Sequence, residues 1–469
     1  MKIKDTLLNK LSGVLSNGER ARSAGSRRIS ENPSMQRPAV IIVAPPWPRS
    51  GTGRVIQNQI EFYQSRGYFT LFVAVAIDGA YMQTNTVFWN FIKEGVDSLG
   101  ADRVSIATFD RKRYVLTKCT ASVRHGLSGT AIDWIVDVGR SAQLPEDVAR
   151  HIRQLPVALI HVNHIFTMGF AERLRKHLIQ GGNCVPIILE THDIQSHVLQ
   201  ERGDLNPWTR RCDSGERLIR SERKLLDRAN VLVHLSVDDF KFFEAQLPSK
   251  PHILAMPTID QAFISAINEA CSPPLTDAID LLFVGHFHSA NLAALTWFFE
   301  QVWPLIADRR YSLKVVGAID LLVRGCLPKT YEAFRSCFVG QVADLAPYYR
   351  AARCAIAPMV SGSGISIKTI EALALGKPFV GTSKAFRGMP MDQIERVGLR
   401  AYDTPQAFAD AIVHALGTQH LSSVLSRAAY DSVFSARAAF ASRDEAIRIA
   451  KDARSNEQAG LSSSTIPSP

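Results

Sequence analysis

The strongest constraint on the fold is residues 353–382, where an apolar run, a glycine loop, a helical pattern and a second apolar run follow one another. Residues 354–358 form an apolar run of strand length that ends in a proline. Residues 361–364 read Ser-Gly-Ser-Gly, a flexible loop with free backbone N–H groups. Apolar spacing predicts a helix over 366–375, stopped by Gly-Lys-Pro, and a strand begins at 379. The stretch therefore predicts a β-loop-α-β unit.

This unit has the chemistry of a phosphate site. A glycine loop that opens onto a helix N-terminus gathers unpaired N–H donors and positive dipole. Lys368 lies in the first turn, where a cation is unfavourable for the helix alone, so a bound anion would explain it. Glu371 follows on the same face, where a carboxylate can accept hydrogen bonds from sugar hydroxyls. The pair indicates a nucleotide site, and the alternative is a glycine-rich turn with a surface Lys–Glu pair.

The rest of the chain repeats the alternation of strand and helix. At 469 residues the chain is too long for one ordinary core and suits two domains. Residues 108–130 are poorly periodic and are predicted to be irregular. The alternation predicts an α/β fold with doubly wound parallel sheets, in which ligands bind at the carboxyl ends of the strands. In the first half, strands are predicted at 39–44, 104–107, 132–136, 157–162, 186–190 and 231–235.

The predicted division of the chain follows composition and periodicity. A linker is predicted over 257–279, where Pro273 and Pro274 mark a boundary. The predicted parts are a basic tail (1–37), a first Rossmann-like domain (38–265), a second Rossmann-like domain (266–435), a final helix (436–454) and a disordered end (455–469).

A second glycine turn follows the first predicted strand. Gly51 and Gly53 lead into a helix that is predicted to reach about residue 66. A Rossmann dinucleotide site is the rival interpretation, because Asp78 ends the next strand. The third glycine of that fingerprint is missing, since Ile56 and Gln57 occupy its region, so the match is weak.

Three histidines stand at the ends of neighbouring predicted strands. His161 and His164 close one strand, and His192 closes the next. Histidines at adjacent strand exits indicate a polar site, and the alternative is a structural role for each. They lack the helical spacing of a zinc site, and the chain contains no Asp-x-Asp motif, so no metal is predicted.

Charge and cysteine usage bear on location. Residues 1–37 hold eight Lys/Arg against three acids, and apolar residues recur at helical spacing over 2–16. This tail is either a solvated leader or an attachment to anionic lipid. The chain has no Cys-x-x-Cys pair, no apolar run of roughly 20 residues and no signal-peptide core. A cytoplasmic protein is predicted, peripheral on the inner membrane face if the tail binds lipid, and no nucleic-acid motif is seen.

The amino-acid sequence of the glycine loop and the helix after it resembles a motif of a known family. Gly-Ser-Gly, three residues, Lys368, two residues, Glu371 and later Gly-Lys-Pro resemble the donor motif of retaining GT-B glycosyltransferases of family four, also called glycosyl transferases group 1. Glu371 matches the second glutamate of that motif, which the resemblance assigns to the ribose of the donor. Ser363 occupies the position of the first glutamate. The resemblance covers roughly residues 39–450 and implies two Rossmann-like domains with a cleft between them.

The resemblance also implies roles for particular residues. His161 and Lys368 would be catalytic, and His164 and His192 would lie on the acceptor side. Where relatives carry Arg and Lys after the first strand of the second domain, this chain has His286, His288 and Asn291. The donor would contact Gly51, Gly53, Gly285, Asn291, Gly340, Gln341, Val342, Ser363, Gly364, Ile365, Ser366, Lys368 and Glu371.

The implied reaction is metal-free transfer of a sugar with retention, without a cofactor. The donor would be a UDP- or GDP-linked sugar, and the acceptor a glycan or lipid-linked glycan of bacterial surface polysaccharide synthesis. Two alternatives stay open, namely a non-catalytic nucleotide-sugar-binding module and a nucleotide-sugar epimerase on the same fold.

Overall fold

The computed structural model describes residues 37–48, 51–79, 86–125, 129–179, 185–202, 214–268, 278–342 and 344–463. Within these ranges the chain forms a seven-stranded and a five-stranded sheet, both wholly parallel. The predicted α/β class with two doubly wound sheets is confirmed. The predicted membrane-binding tail lies outside the described residues.

The first sheet has the strand order β3-β2-β1-β4-β5-β6-β7. Strands β1 and β2 are buried along their whole length and are almost entirely apolar, as strands covered by helices on both faces must be. The strands are β1 (Ala39–Ala44), β2 (Phe69–Val75), β3 (Arg103–Ala107), β4 (Val157–Asn163), β5 (Ile187–Thr191), β6 (Val231–His234) and β7 (His252–Leu254). The helices are α1 (Gly51–Ser65), α2 (Thr86–Asp97), α3 (Arg111–His125), α4 (Ala131–Ser141), α5 (Glu146–Gln154), α6 (Met168–Leu178), α7 (Gln195–Arg202), α8 (Gly215–Leu226) and α9 (Val237–Gln246).

The second sheet has the strand order β10-β9-β8-β11-β12 and a single large core. The strands are β8 (Ile279–Val284), β9 (Leu313–Val316), β10 (Phe338–Gly340), β11 (Ala352–Ala357) and β12 (Phe379–Gly381). The helices are α10 (Gln261–Asn268), α11 (Ser289–Trp297), α12 (Ile319–Cys326), α13 (Pro328–Ala333), α14 (Ala346–Ala351), α15 (Ile367–Ala374), α16 (Met391–Arg396), α17 (Pro405–Gly417) and α18 (Gln419–Val433).

The last helix, α19 (Ala436–Ser463), packs on the first sheet rather than the second. Ala446, Ile447 and Ala450 are buried in the same core as the inner face of β1. The ring of Phe440 lies 5.2 Å from that of Phe62 on α1. The chain thus leaves the first sheet, builds the second and returns to complete the first.

Several sequence-based assignments are wrong. Residues 132–136 were predicted as a strand but lie in α4, because Thr130 and Asp133 form a capping box that starts a helix. The segment 108–130, predicted to be irregular, contains α3. Helix α10 lies inside the predicted linker, and α19 continues past residue 455 to Ser463. None of the described helices combines the length and the apolar character that a membrane span requires.

Candidate functional site

The glycine loop between β11 and α15 lies against the first domain. Gly364 has φ +62°, a conformation that favours glycine. A side chain there would meet Asp193 Oδ1 at 2.2 Å and the His192 carbonyl at 3.0 Å, both at the end of β5. Ser366 then occupies the N-cap position of α15 in extended geometry. The loop therefore lies in the cleft where the two domains meet.

The second glycine turn faces the first across this cleft. Helix α1 begins at Gly51, where a side chain would lie 3.1 Å from Ile367 at the start of α15. A side chain at Gly53 would overlap the Pro48 carbonyl at 1.9 Å, so the turn requires glycine there. The N-terminal ends of α1 and α15 thus meet, and their positive dipole ends favour an anion between them.

Lys368 is partly buried on the first turn of α15. Its ammonium donates to Asn291 Oδ1 and lies 4.5 Å from the centre of the Phe283 ring and 3.8 Å from Met359 Sδ. Burial, and then the charge of Arg387, lower the pKa of Lys368 to about 7, although Glu371 acts in the opposite direction. The predicted residues Lys368 and Asn291 are therefore brought together, and the ammonium has no carboxylate within ion-pair distance among the described residues.

Glu371 lies one turn further along α15 and is buried. Tyr349 Oη donates to Glu371 Oε2 at 3.0 Å, and Arg54 Nε lies 3.4 Å from Oε1. Burial raises the pKa of Glu371, and Arg54 and Tyr349 counteract that rise. Arg54 comes from α1 of the first domain and also pairs with Asp260 at 3.3 Å. Glu371, the residue predicted to contact ribose, thus joins the two domains through its ion pair with Arg54.

Arg387 is a site residue that the sequence analysis missed. It lies after β12, where its Nε donates to the Ser363 carbonyl at 2.9 Å and its Nη1 to the Lys384 carbonyl at 2.8 Å. Its guanidinium carbon lies 3.3 Å from the position of a side chain at Gly362. Burial lowers the pKa of Arg387, whereas Asp193 raises it. A second cation therefore lies at the glycine loop, in addition to Lys368.

The remaining predicted donor residues lie at the carboxyl ends of the second sheet. Gly285 follows β8 and Gly340 ends β10, and Gly317, after β9, stands between them. The Gly317 amide donates to the Gly340 carbonyl at 2.8 Å, and a side chain on Gly317 would meet the Gly285 carbonyl at 2.2 Å. Gln341 and Val342 continue directly from β10. These residues share one edge of the sheet with the glycine loop, which follows β11.

His161 lies inside the first domain rather than at the cleft surface. Its exposed fraction is 1%, Tyr63 Oη and His161 Nδ1 are 2.8 Å apart, and its Nε2 lies 3.4 Å from Glu190 Oε2. Arg443 of α19 pairs with the same Glu190 oxygen at 3.3 Å. Burial raises the pKa of Glu190, but Arg443 and then His161 outweigh it and hold the pKa at about 2. Gln59 also donates to Glu190, at 2.7 Å.

His164 and His192, the predicted acceptor-side pair, lie nearer the glycine turns. Their rings stack with centroids 4.0 Å apart, and His164 Nε2 is 3.4 Å from Thr52 Oγ1. His164 has φ 62°, which is strained for a residue other than glycine, and its buried Nδ1 has no hydrogen-bond partner among the described residues. Burial, and then His192, hold the pKa of His164 well below its usual value, so the ring is neutral near pH 7. Such strain concentrates at functional sites.

The described residues do not form a recognisable metal site. Over the described ranges, no three His, Cys, Asp or Glu side chains converge in a manner suited to an ion. Glu222 is a buried acid of the first domain, and it accepts from the Gln195 and Ser196 amides at 2.7 and 2.9 Å. Burial raises the pKa of Glu222 to about 7. Because this carboxylate stabilises the start of α7, it has a structural function.

Comparison with known proteins confirms the resemblance seen in the sequence. The family model described as Glycosyl transferases group 1 matches residues 278–418, which include β8 to β12 and the glycine loop with Lys368, Glu371 and Arg387. No curated protein matches the chain.

Solved structures share the fold across both domains. Sucrose-phosphate synthase from Thermosynechococcus elongatus superposes with a TM-score of 0.55 at 14% identity, covering 90% of this chain and 100% of that one. HepE from Anabaena, in complex with UDP and glucose, gives 0.53 at 14% identity, with 92% and 100% covered. A trehalose 6-phosphate synthase from Burkholderia multivorans gives 0.51 at 12% identity, with 92% and 100% covered. The chain has the two-domain fold of these enzymes.

Proposed function

We propose that the chain, in which residues 278–418 match the glycosyl transferases group 1 model and both domains share the fold of solved glycosyltransferases, moves a sugar with retention from a UDP- or GDP-linked donor to a glycan or lipid-linked acceptor. We further propose that it acts in bacterial surface polysaccharide synthesis, on the cytoplasmic side of the membrane and without a metal. The observation that carries the donor assignment is the placement of Lys368 and Glu371 on successive turns of α15 at the glycine loop. The HepE structure contains UDP and glucose, which supports a nucleoside diphosphate here.

The chemistry of the proposed reaction is the departure of a diphosphate. The bond between the anomeric carbon and the diphosphate oxygen breaks, and the acceptor oxygen bonds to that carbon on the same face. The acceptor proton passes to the departing phosphate oxygen. Negative charge grows on the diphosphate, so cations and helix N-termini aimed at it lower the barrier. Lys368, the α15 N-terminus and the amides of the glycine loop are the groups that supply this stabilisation.

Arg387 fills the place left by the missing cations after β8. The loop after β8 carries His286 and His288 in place of the Arg and Lys that the resemblance leads one to expect. Arg387 Nε donates to the Ser363 carbonyl of the loop, so its remaining donors are close to any phosphate bound at the loop. A planar guanidinium binds phosphate through paired hydrogen bonds. We assign the second diphosphate cation to Arg387.

Arg387 is tested against a neighbouring cation. Arg387→Gln should weaken the binding of UDP or GDP by about tenfold or more, because a charge-assisted hydrogen bond contributes roughly 1.5–3 kcal/mol. Nucleoside binding should stay unchanged. Lys384→Gln is the matched control, since Lys384 is exposed in the same turn and should leave both affinities unchanged. Equal losses for nucleoside and nucleoside diphosphate would show that Arg387 only shapes the loop.

The overall reaction is tested with purified protein and a panel of UDP- and GDP-sugars. Slow release of nucleoside diphosphate, insensitive to EDTA, is expected with the true donor. Proton NMR of a transferred sugar should show the anomeric configuration of the donor. Conversion of the free donor into its epimer without an acceptor would support the epimerase alternative instead. Binding without any turnover on acceptor glycans would support the non-catalytic module.

A further inference from the structure

Helix α3 has an exposed apolar stripe that the proposed reaction does not use. Ten of its 15 residues are exposed, and only Ala121 is buried. Val115, Leu116 and Val123 are 52%, 66% and 77% exposed. Apolar side chains exposed singly are ordinary, but a cluster of them on one helix marks a site of interaction.

The exposed apolar residues share one face of α3, with basic residues around it. At 3.6 residues per turn, Val115, Leu116 and Val123 fall within about a third of a turn, opposite Ala121. The helix contains five Lys or Arg and no acid. Lys118 and Arg111 border one side of the stripe, and Lys112 lies at its N-terminal end. In the described part of the chain, no carboxylate lies within ion-pair distance of these three cations.

Other residues of α3 make contacts with the first domain. These contacts fix the orientation of the helix, so the apolar stripe faces away from the core. Tyr114 packs on Gly79, where a side chain would lie 2.6 Å from its ring. Trp134 Nε1 donates to Ser122 Oγ at 3.2 Å, and Asp137 pairs with both Arg124 and His125 at 2.8 Å. Helix α3 starts just beyond β3, at the carboxyl edge of the first sheet, which is also the edge at the cleft.

We propose that the α3 surface, formed by Val115, Leu116, Val123, Arg111, Lys112 and Lys118, docks on an anionic lipid bilayer. An exposed apolar stripe with cations beside it matches a helix that lies in the membrane interface, with apolar groups among acyl chains and cations at phosphates. The charge is of one sign, which complements a lipid surface of uniform negative charge. This inference goes beyond the proposed function, because it needs neither a donor nor an acceptor.

The first test is co-sedimentation of the full chain with vesicles. Binding is expected to vesicles of phosphatidylcholine with 30% phosphatidylglycerol and to fall steeply with salt, because surface charges are screened. Val115→Ser/Leu116→Ser/Val123→Ser should lower the partition coefficient by roughly tenfold or more. The matched control is Leu421→Ser/Val424→Ser on α18, which removes side chains that are 56% and 51% exposed and should leave binding unchanged.

The second test separates α3 from the N-terminal tail. Cys119 is exposed on the α3 surface and Cys326 is exposed at the end of α12. An environment-sensitive fluorophore on a variant that retains only Cys119 should shift to shorter wavelength with anionic vesicles. The same label at Cys326 should not. Both results should persist when residues 1–37 are deleted.

Three outcomes would overturn the proposal. One is a label at Cys119 whose emission wavelength does not change when anionic vesicles are added at low salt. Another is equal binding by the triple serine variant and the wild type. The third is a Cys119 shift that follows protein concentration or added nucleic acid rather than lipid, which would assign the surface to a second copy or to a polynucleotide.

Discussion

Replacing Glu371 by alanine tests the donor site most directly. One carboxylate oxygen accepts from Tyr349 within the domain, and the other is 3.4 Å from Arg54 across the cleft. Ribose bound at Glu371 must either share this carboxylate with Arg54 or displace Arg54 from it. A hydrogen bond to a charged acceptor contributes about 1.5–3 kcal/mol, and a partly exposed ion pair offsets up to about 1 kcal/mol of that. The expected loss is therefore about 0.5–3 kcal/mol, or about 2- to 150-fold in Kd.

The assay is isothermal titration calorimetry with three ligands, namely the nucleoside, the nucleoside diphosphate and its 2′,3′-dideoxy analogue. Glu371→Ala should weaken the first two by the same factor and leave the analogue unaffected, because the analogue lacks the hydroxyls that Glu371 would bind. Lys368→Met should weaken only the two diphosphates. Glu395→Ala, an exposed acid of the same domain, is the control. If the analogue suffers the full Glu371→Ala loss, the carboxylate acts on the fold and not on ribose.

Four further predictions concern protonation and the buried network. The pKa of free Lys368 is about 7 and a bound diphosphate raises it, so affinity should fall above pH 7 by up to about tenfold per pH unit, and Lys368→Met should remove that slope. His164→Ala should lower kcat by about 10²-fold with the free energy of unfolding changed by less than about 1 kcal/mol, whereas His161→Ala should lower both kcat and stability in thermal denaturation, with nucleotide affinity kept. Arg443→Met should lower the free energy of unfolding by about 3–5 kcal/mol. Because the pKa of Glu190 is low in the folded state, its ionised carboxylate stabilises the fold above the unfolded pKa, and this contribution is lost as pH falls from 4.5 towards about 2. The free energy of unfolding of the variant, measured in urea titrations, should therefore lose this dependence on acid pH.

The second domain could be predicted well because its signals are local. The glycine loop, Lys368 and Glu371 lie within eleven consecutive positions, which form one loop and one helix in the structure. Helix α3 was missed for a physical reason, since it buries only Ala121 and so lacks the apolar periodicity of a helix packed on a core. The strand predicted at 132–136 failed because a short apolar run fits either element, and the Thr130–Asp133 capping box decides for the helix.

Contacts between distant segments could not be predicted from one sequence. Arg54 follows the Gly51–Gly53 turn, but nothing local connects it with Glu371, from which 317 positions separate it. Arg387 lies in another loop from Ser363 and carries no motif of its own. His161, predicted to be catalytic, precedes a run of polar strand-end residues, and only the packing of α1 and α19 shows which of them is interior. Its catalytic role stays a prediction.

The return of α19 has a consequence for synthesis on the ribosome. Glu190 and Arg443 are separated by 253 positions, so the buried carboxylate of the first domain has no guanidinium until those further residues have been made. At about 5–20 residues per second this delay is roughly 13–50 s. During that time Glu190 must stay hydrated or protonated, because a buried unpaired charge is costly. The first domain is therefore translated before the second but finished after it, and its completion depends on the emergence of α19 from the exit tunnel.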